Sequence, residues 1–364
     1  MKLSCGLVGL PNVGKSTLFN ALTRASAAVA NYPFCTVDPN VGMVPVPDTR
    51  LQTLSEIFKP KKTTPTTIEF VDIAGLVKGA SAGEGLGNQF LGHIREVSAM
   101  VHIVRCFDDS EIIHVNGAVD PKADIEIIET ELILKDLDAV EKQLSRVEKK
   151  SHSGDEEAQK EKAVLEQLKQ QLSSGKVARG LTIANQDAVF MKNLSLLTTK
   201  PVLYVANLPE GDIQKGNRYS EQVEKISKEE GNFAILMSGK LEAEIATLTP
   251  SDGLLFLKEL GISESSLPRL IAVSYQMLGL VTFFTVGEDE VRAWTINKGT
   301  RAVDAAGLIH SDIQRGFIRA EVTSYQDVVT YKTQQVIKEK GLLRLEGKEY
   351  LVADGDCIYF RFNV

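Results

Sequence analysis

Residues 3–8 form a short, largely apolar run that stops at Gly9, and from Lys15 onward Leu18, Phe19 and Leu22 recur at helical spacings. The first pattern predicts a buried strand and the second an amphipathic helix. Residues 31–47, rich in Pro, Asn and Gly, read as a loop with a strand at 41–46, whereas the β-branched stretch 67–73 is a strand. Three glycines within 80–88 predict a mobile segment. Residues 101–107 are a further buried strand. The order strand, helix, strand, strand, helix, strand predicts a mostly parallel sheet wrapped by helices, an α/β domain.

The pattern changes near residue 125. Ile133, Leu137, Val140, Leu144 and Val147 repeat at four, three, four, three, a heptad stripe that Leu165, Leu168 and Leu172 resume after a turn at 151–155. This predicts an antiparallel helical hairpin projecting from the sheet domain. Apolar runs at 201–206 and 234–237 rejoin the first sheet, so the hairpin is an insertion. Strands at 281–286, 290–296, 317–322 and 358–362 with a helix at 302–309 predict a small C-terminal α+β domain. The expected division is 1–124 plus 199–280 for the first domain, 125–198 for the hairpin and 281–364 for the last.

A chain of 364 residues suits two or three domains. No apolar run reaches the roughly 18 residues of a membrane helix, and no leader pattern precedes the first strand. Cys5, Cys35, Cys106 and Cys357 lie far apart, which disfavours zinc or disulfide frameworks and points to reduced thiols in a cytoplasmic setting. A net charge of −7 gives no bulk attraction to nucleic acid and leaves room only for local RNA contact.

Chemistry enters at Gly9-Leu10-Pro11-Asn12-Val13-Gly14-Lys15-Ser16, which matches G-x-x-x-x-G-K-[ST] between a strand and a helix. The motif predicts that backbone N–H groups of Asn12, Val13 and Gly14, continuing through Lys15, Ser16 and Thr17, cradle phosphates. Lys15 would reach the β- and γ-phosphates and the Ser16 hydroxyl would ligand Mg²⁺. Asp72, at the end of strand 67–73, is a further Mg²⁺ candidate and the Gly75 N–H a γ-phosphate donor. Thr36, in the loop Pro33-Phe34-Cys35-Thr36, is the candidate for the second protein ligand on Mg²⁺. Cys35 beside it is a candidate redox-sensitive thiol. Leu76 follows Gly75 where Ras-like GTPases carry the water-orienting glutamine, so another group must position the water; His114, in the polar stretch after strand 101–107, is the candidate. Asn12 is a candidate for holding a monovalent cation such as K⁺ near the phosphates. Gly83-Glu84-Gly85-Leu86-Gly87 lacks the strand–helix context of a dinucleotide fingerprint.

After strand 202–206, Asn207-Leu208-Pro209-Glu210 stands where GTPases carry Asn-Lys-x-Asp. Leu208 replaces the lysine that packs on the base. Glu210 replaces the aspartate that accepts from guanine, and its longer side chain misplaces the two hydrogen bonds. Asn207 is the candidate for reading adenine N6 and N7, with Met237-Ser238-Gly239 closing over the base. ATP is therefore expected in preference to GTP.

Together these residues resemble the YchF / Obg-like ATPase family. The resemblance spans essentially the whole chain and adds Asn31-Tyr32-Pro33-Phe34-Cys35-Thr36, Phe70-Val71-Asp72-Ile73-Ala74-Gly75-Leu76-Val77, Val104-Arg105-Cys106-Phe107, Phe317-Ile318-Arg319-Ala320-Glu321-Val322 and Phe360-Arg361-Phe362-Asn363-Val364. It implies a P-loop NTPase domain with an inserted α-helical hairpin and a ubiquitin-like TGS domain. It also implies ATP preference, ribosome contact through the hairpin and TGS domains (with the large subunit as the expected partner) and a catalytic role for His114. A monomer is expected. Pro209 departs from the family's usual base loop and bears on base choice. Two other readings stand beside a slow ATPase switch: a translation-associated GTPase, and a nucleotide-regulated binding module in which hydrolysis is incidental.

Overall fold

The structure, a computed structural model, describes residues 3–29, 40–74, 86–114, 117–151, 155–184 and 187–363. The described strands in chain order are β1 (Ser4–Val8), β2 (Val41–Pro45), β3 (Lys62–Thr64), β4 (Thr67–Asp72), β5 (Ala99–Arg105), β6 (Val202–Asn207), β7 (Phe233–Met237), β8 (Leu280–Val286), β9 (Glu290–Asn297), β10 (Phe317–Ser324), β11 (Arg344–Glu346) and β12 (Asp356–Phe362). They form two sheets, ordered β2-β4-β1-β5-β6-β7 and β11-β10-β12-β8-β9-β3.

In the first sheet β1 lies between β4 and β5, and β5, β6 and β7 follow, all parallel. β2 runs antiparallel at the edge, since Asp72 N–H bonds to the Asn40 carbonyl while Val46 N–H bonds to that of Thr66. Strands β1, β5 and β6 are buried along their whole length, as expected of parallel strands covered on both faces. The register Leu7 to Asp72 and Arg105 to Asn207 brings the C-terminal ends of four strands to one edge, where ligands bind in open α/β sheets.

The heptad stripe is a real helix seam. Helices Pro121–Ser151 and Glu156–Ser173 bury Ile133, Val140, Leu144 and Val147 against Val164, Leu165, Leu168 and Leu172. Glu141 pairs with Lys169 and Glu148 with Lys162, one number rising as the other falls, so the pair is antiparallel. Asp155 caps the second helix by accepting from the N–H groups of Glu157 and Ala158; residues 152–154 of the expected turn lie outside the described residues.

Contacts within the chain draw two units rather than the three expected domains: residues 1–43 with 69–270, and residues 44–68 with 271–364. The hairpin is continuous with the first unit because its first helix also packs on the sheet, through Ile128 and Leu132 beside Met100 and Val202. In the second unit β8 and β9 form an antiparallel hairpin, helix Ala302–Ile309 crosses the sheet, and β12 returns parallel to β8. This is the ubiquitin-like, α+β arrangement. Segment 44–68 belongs here because β3 adds a parallel edge strand to β9 and helix Thr49–Phe58 buries Leu51 and Leu54 against Phe284, Val291 and Ala293.

Candidate functional site

The loop between β1 and helix Lys15–Val29 turns on two left-handed residues, Asn12 at φ 64° and Gly14 at φ 92°. Asparagine tolerates that region and glycine enters it freely. A Cβ at Gly14 would collide with the Asn207 amide nitrogen, and one at Gly9 would lie 2.8 Å from the Ile103 carbonyl oxygen. The Asn207 amide and the Ile103 carbonyl therefore fill the space that a side chain at these two glycines would take. The Leu18 N–H closes the first turn on the Gly14 carbonyl at 3.0 Å, leaving the N–H groups of Lys15, Ser16 and Thr17 ahead of the helical ladder. That is an anion site with the helix dipole behind it.

β4 runs parallel to β1 with Asp72 in register with Leu7, which delivers its carboxylate to the start of the helix. Lys15 Nζ forms an ion pair with Asp72 Oδ1, and Ser16 Oγ donates to Asp72 Oδ2 at 3.3 Å. Ser16 and Thr17 are exposed. One cation and three hard oxygens thus converge at the mouth of the phosphate loop, and Ser16 and Asp72 fit a hard divalent ion of the Mg²⁺ kind.

At the end of β6, Asn207 faces inward. Its Nδ2 donates to the Val13 carbonyl oxygen and its Oδ1 accepts from the Gly239 N–H, both at 2.8 Å. Those atoms brace the phosphate loop against the β7 loop and leave one N–H of Nδ2 and one lone pair of Oδ1 for the adenine reading expected of Asn207. Leu208, Met237 and Ser238 are likewise buried; Leu208 N–H bonds to the Met237 carbonyl, and Ser238 caps helix Gly239–Ile245. Of the expected base-loop side chains only Glu210, half-buried in a 3₁₀ turn, faces outward, together with Pro209 and Lys240.

The polar stretch after β5 is pinned from below by Arg105, a fully buried residue with no local signal in the sequence. Its guanidinium donates to the carbonyl oxygens of Phe107, Asp109 and Ile112 at 3.0–3.3 Å. Asn12 Nδ2 donates to the Ile113 carbonyl at 3.1 Å, so the stretch docks on the phosphate loop. That bond gives the Asn12 amide nitrogen a structural task. His114 is buried, with Nε2 3.0 Å from Asp124 Oδ2. Burial, with Asp124 adding to it, pushes the neighbouring Cys106 thiol well above its usual range. Sequence reasoning also missed Asn217, whose side chain donates to the Cys106 carbonyl and to Asp212 at 2.9 Å while capping helix Arg218–Glu229. Thr36 and Gly75, with Cys35, Leu76 and residues 83–85, lie outside the described residues.

Comparison with known proteins places this geometry. A family model described as 50S ribosome-binding GTPase matches residues 4–169, and the YchF-GTPase_C model, described only as a protein of unknown function, matches residues 280–363. The chain is 54% identical over 366 aligned residues to the ribosome-binding ATPase YchF of Bacillus subtilis (strain 168), covering 100% of both chains. It is 52% identical over 364 residues to that of Escherichia coli O157:H7, again covering 100% of both. The structure of the Schizosaccharomyces pombe YchF GTPase superposes with a TM-score of 0.90 at 41% identity, over 99% of this chain and 98% of that one. Likeness over the full length of these relatives shows that this chain belongs to the YchF family.

Proposed function

We propose that this protein is a Mg²⁺-dependent ATPase whose nucleotide state governs its attachment to the ribosome. The observation that carries the reading is the convergence of Lys15, Ser16 and Asp72 on the Gly14 turn. Lys15 exchanges its carboxylate partner for β- and γ-phosphate oxygens when nucleotide binds. The N–H groups of 12–17 take the remaining phosphate oxygens. Ser16, Asp72 and Thr36 hold Mg²⁺, which when bound neutralises charge on the β- and γ-phosphates. The Gly75 N–H contacts the γ-phosphate, and His114 orients the attacking water. A K⁺ ion beside Asn12 is a lesser part of the proposal, and equal turnover in K⁺ and Na⁺ removes it.

ATP preference is supported by the base loop: Leu208 is buried rather than laid along a base, and Glu210 stands where guanine recognition needs an aspartate. Ribosome attachment is supported by the names of the two bacterial relatives. The hairpin 125–198 and the C-terminal segment 281–364 are the proposed contact surfaces, with the large subunit and its RNA as the partner of a cytoplasmic monomer. Among the described residues no helix is long and apolar enough to cross a membrane. A second reading, a nucleotide-regulated binding module with incidental hydrolysis, is favoured by one observation, the burial of the His114 ring.

Calorimetric titration with ATP and GTP in Mg²⁺ buffer, followed by turnover with and without ribosomes, tests the proposal. ATP is expected to bind at least about tenfold tighter, a difference of roughly 1.4 kcal/mol, and ribosomes are expected to raise turnover. Equal or tighter GTP binding returns the protein to the GTPases. Turnover indifferent to ribosomes favours the binding module.

A further inference from the structure

We propose that Asp124 is a positioning residue that holds the His114 imidazole in a withdrawn arrangement, so that the first turn of the long hairpin helix sets how often His114 reaches the attacking water. The inference rests on the water-orienting role assigned to His114 above. The His114 and Asp124 side chains are 5% and 2% exposed, with Nε2 3.0 Å from Oδ2. A histidine that orients a substrate water must present a ring nitrogen to it. A covered ring with Nε2 bound to a carboxylate presents none there, so the pair must open first.

The surrounding contacts show what can open it. The backbone just before His114 is held on the nucleotide side, where Asn12 binds the Ile113 carbonyl and Arg105 the Ile112 carbonyl. The ring is held on the other side by Asp124. That residue lies in the first turn of a 31-residue helix, Pro121–Ser151, which Asp120 caps by accepting from the Lys122 and Ala123 N–H groups. The far half of the same helix, a rod of about 45 Å, forms the hairpin seam with Glu156–Ser173. Force applied at the hairpin by a docked ribosome is carried along this helix to Asp124, while Asn12 of the P-loop and Arg105 of β5 keep the backbone of 112–113 in place. Turnover is therefore low until the hairpin is engaged.

Asp124→Asn keeps the shape of the contact and replaces a charge-assisted hydrogen bond by a neutral one. Such a change is expected to raise basal ATP turnover of the full chain roughly fivefold, with KM for ATP unchanged because only the chemical step is touched. Stimulation by ribosomes should shrink by the same factor. In a His114→Ala background the Asp124→Asn change should do nothing. A fall in basal turnover in Asp124→Asn, or a rise that persists without His114, overturns the latch. His114→Ala with unchanged basal and ribosome-stimulated turnover overturns the catalytic assignment itself, and the latch with it. A second measurement needs no variant: diethyl pyrocarbonate should modify His114 far more slowly than His310, whose side chain is 62% exposed, and ribosomes should accelerate the His114 modification. Equal rates at the two histidines without ribosomes overturn the withdrawn arrangement.

Discussion

Asn207 ties three parts of the nucleotide site together through one amide: it ends β6, donates to Val13 in the phosphate loop and accepts from Gly239 at the head of the helix after β7. Replacing it by alanine orphans a buried carbonyl and a buried N–H. Each such loss is worth about 1 kcal/mol or more, so Asn207→Ala is expected to weaken nucleotide binding by about 2 kcal/mol, roughly thirtyfold in Kd. The weakening should be the same for ATP and GTP, because the brace shapes the phosphate loop, which binds the part that the two nucleotides share. Titration of the variant with both nucleotides checks this; loss of ATP binding alone would show that Asn207 reads the base after all. Gly14 is the complementary residue. Its φ of 92° and the absence of room for a Cβ beside the Asn207 amide predict that Gly14→Ala abolishes binding of both nucleotides, measurable in the same titration.

Between the sheet and the hairpin lies a buried polar cluster that the phosphate chemistry does not use. Arg179 Nη2 pairs with Glu129 on the long helix and with Glu230 at 2.9 Å, and the Tyr204 hydroxyl on β6 donates to Glu230 at 2.9 Å. Beside them is a cavity of about 10 Å³ lined by His102 and Tyr204, toward the small end of what one water needs. Burial raises the Glu129 carboxyl against the pull of Arg179, so the guanidinium is what allows two carboxylates to sit there. Arg179→Met leaves both without a cation and is expected to lower stability by about 2–3 kcal/mol, less than for a fully buried pair because the carboxylates keep some solvent; urea unfolding measures it. His102, on β5, is lowered to about 3 by burial and then by Arg179. Between about pH 6.5 and 3 the unfolded chain binds a proton at this position that the folded chain refuses. Its contribution to stability is thus complete above pH 6.5 and falls by about 1.4 kcal/mol per unit as pH drops below it. Glu129, with a raised folded value, works in the opposite direction over its own window above 4.5. Unfolding free energies at pH 7 and 5 should therefore differ less in His102→Phe than in the parent; equal differences would mean the ring is protonated in the fold.

These elements divide by how far apart their causes lie in the chain. The strand and helix stripes at 3–8, 67–73, 133–147 and 281–286 were readable because period and burial are local properties. The three-residue β3, with two exposed positions and one buried, has no period to read. Lys15, Ser16 and Asp72 were legible because a phosphate loop and a strand end carry fixed residue types at fixed places. The inward turn of Asn207 was not, since its partners stand 194 and 32 residues away. The His114–Asp124 pair escaped for a related reason: both are common polar residues in a polar stretch, and only the packed fold shows that they are buried together.

For the whole molecule the consequential feature is segment 44–68, which lies early in the chain and folds with its end. In β8 the adjacent residues Phe283 and Phe284 point to opposite faces of the second sheet. Helix Ala302–Ile309 covers the Phe283 face through Ala302, Ala305 and Ala306. The Phe284 face is covered in part by Leu51 and Leu54 of helix Thr49–Phe58, and Arg50 fastens that helix by pairing with Asp48 at 2.8 Å and Asp354 at 2.7 Å. The unit thus takes in segment 44–68 and residues 271–280 beside the strands that begin near 281. Burial of two leucines is worth about 1.5–3 kcal/mol each, a large share of what stabilises a domain of this size. A fragment spanning 271–364 is expected to melt without a sharp transition and to bind a synthetic peptide spanning 44–68, recovering a cooperative melt as the peptide is added. Leu54→Asp in the peptide should remove that recovery, because the position is fully buried against the sheet. A fragment 271–364 that melts cooperatively alone and ignores the peptide would show that the late residues fold by themselves, with segment 44–68 added to a finished domain.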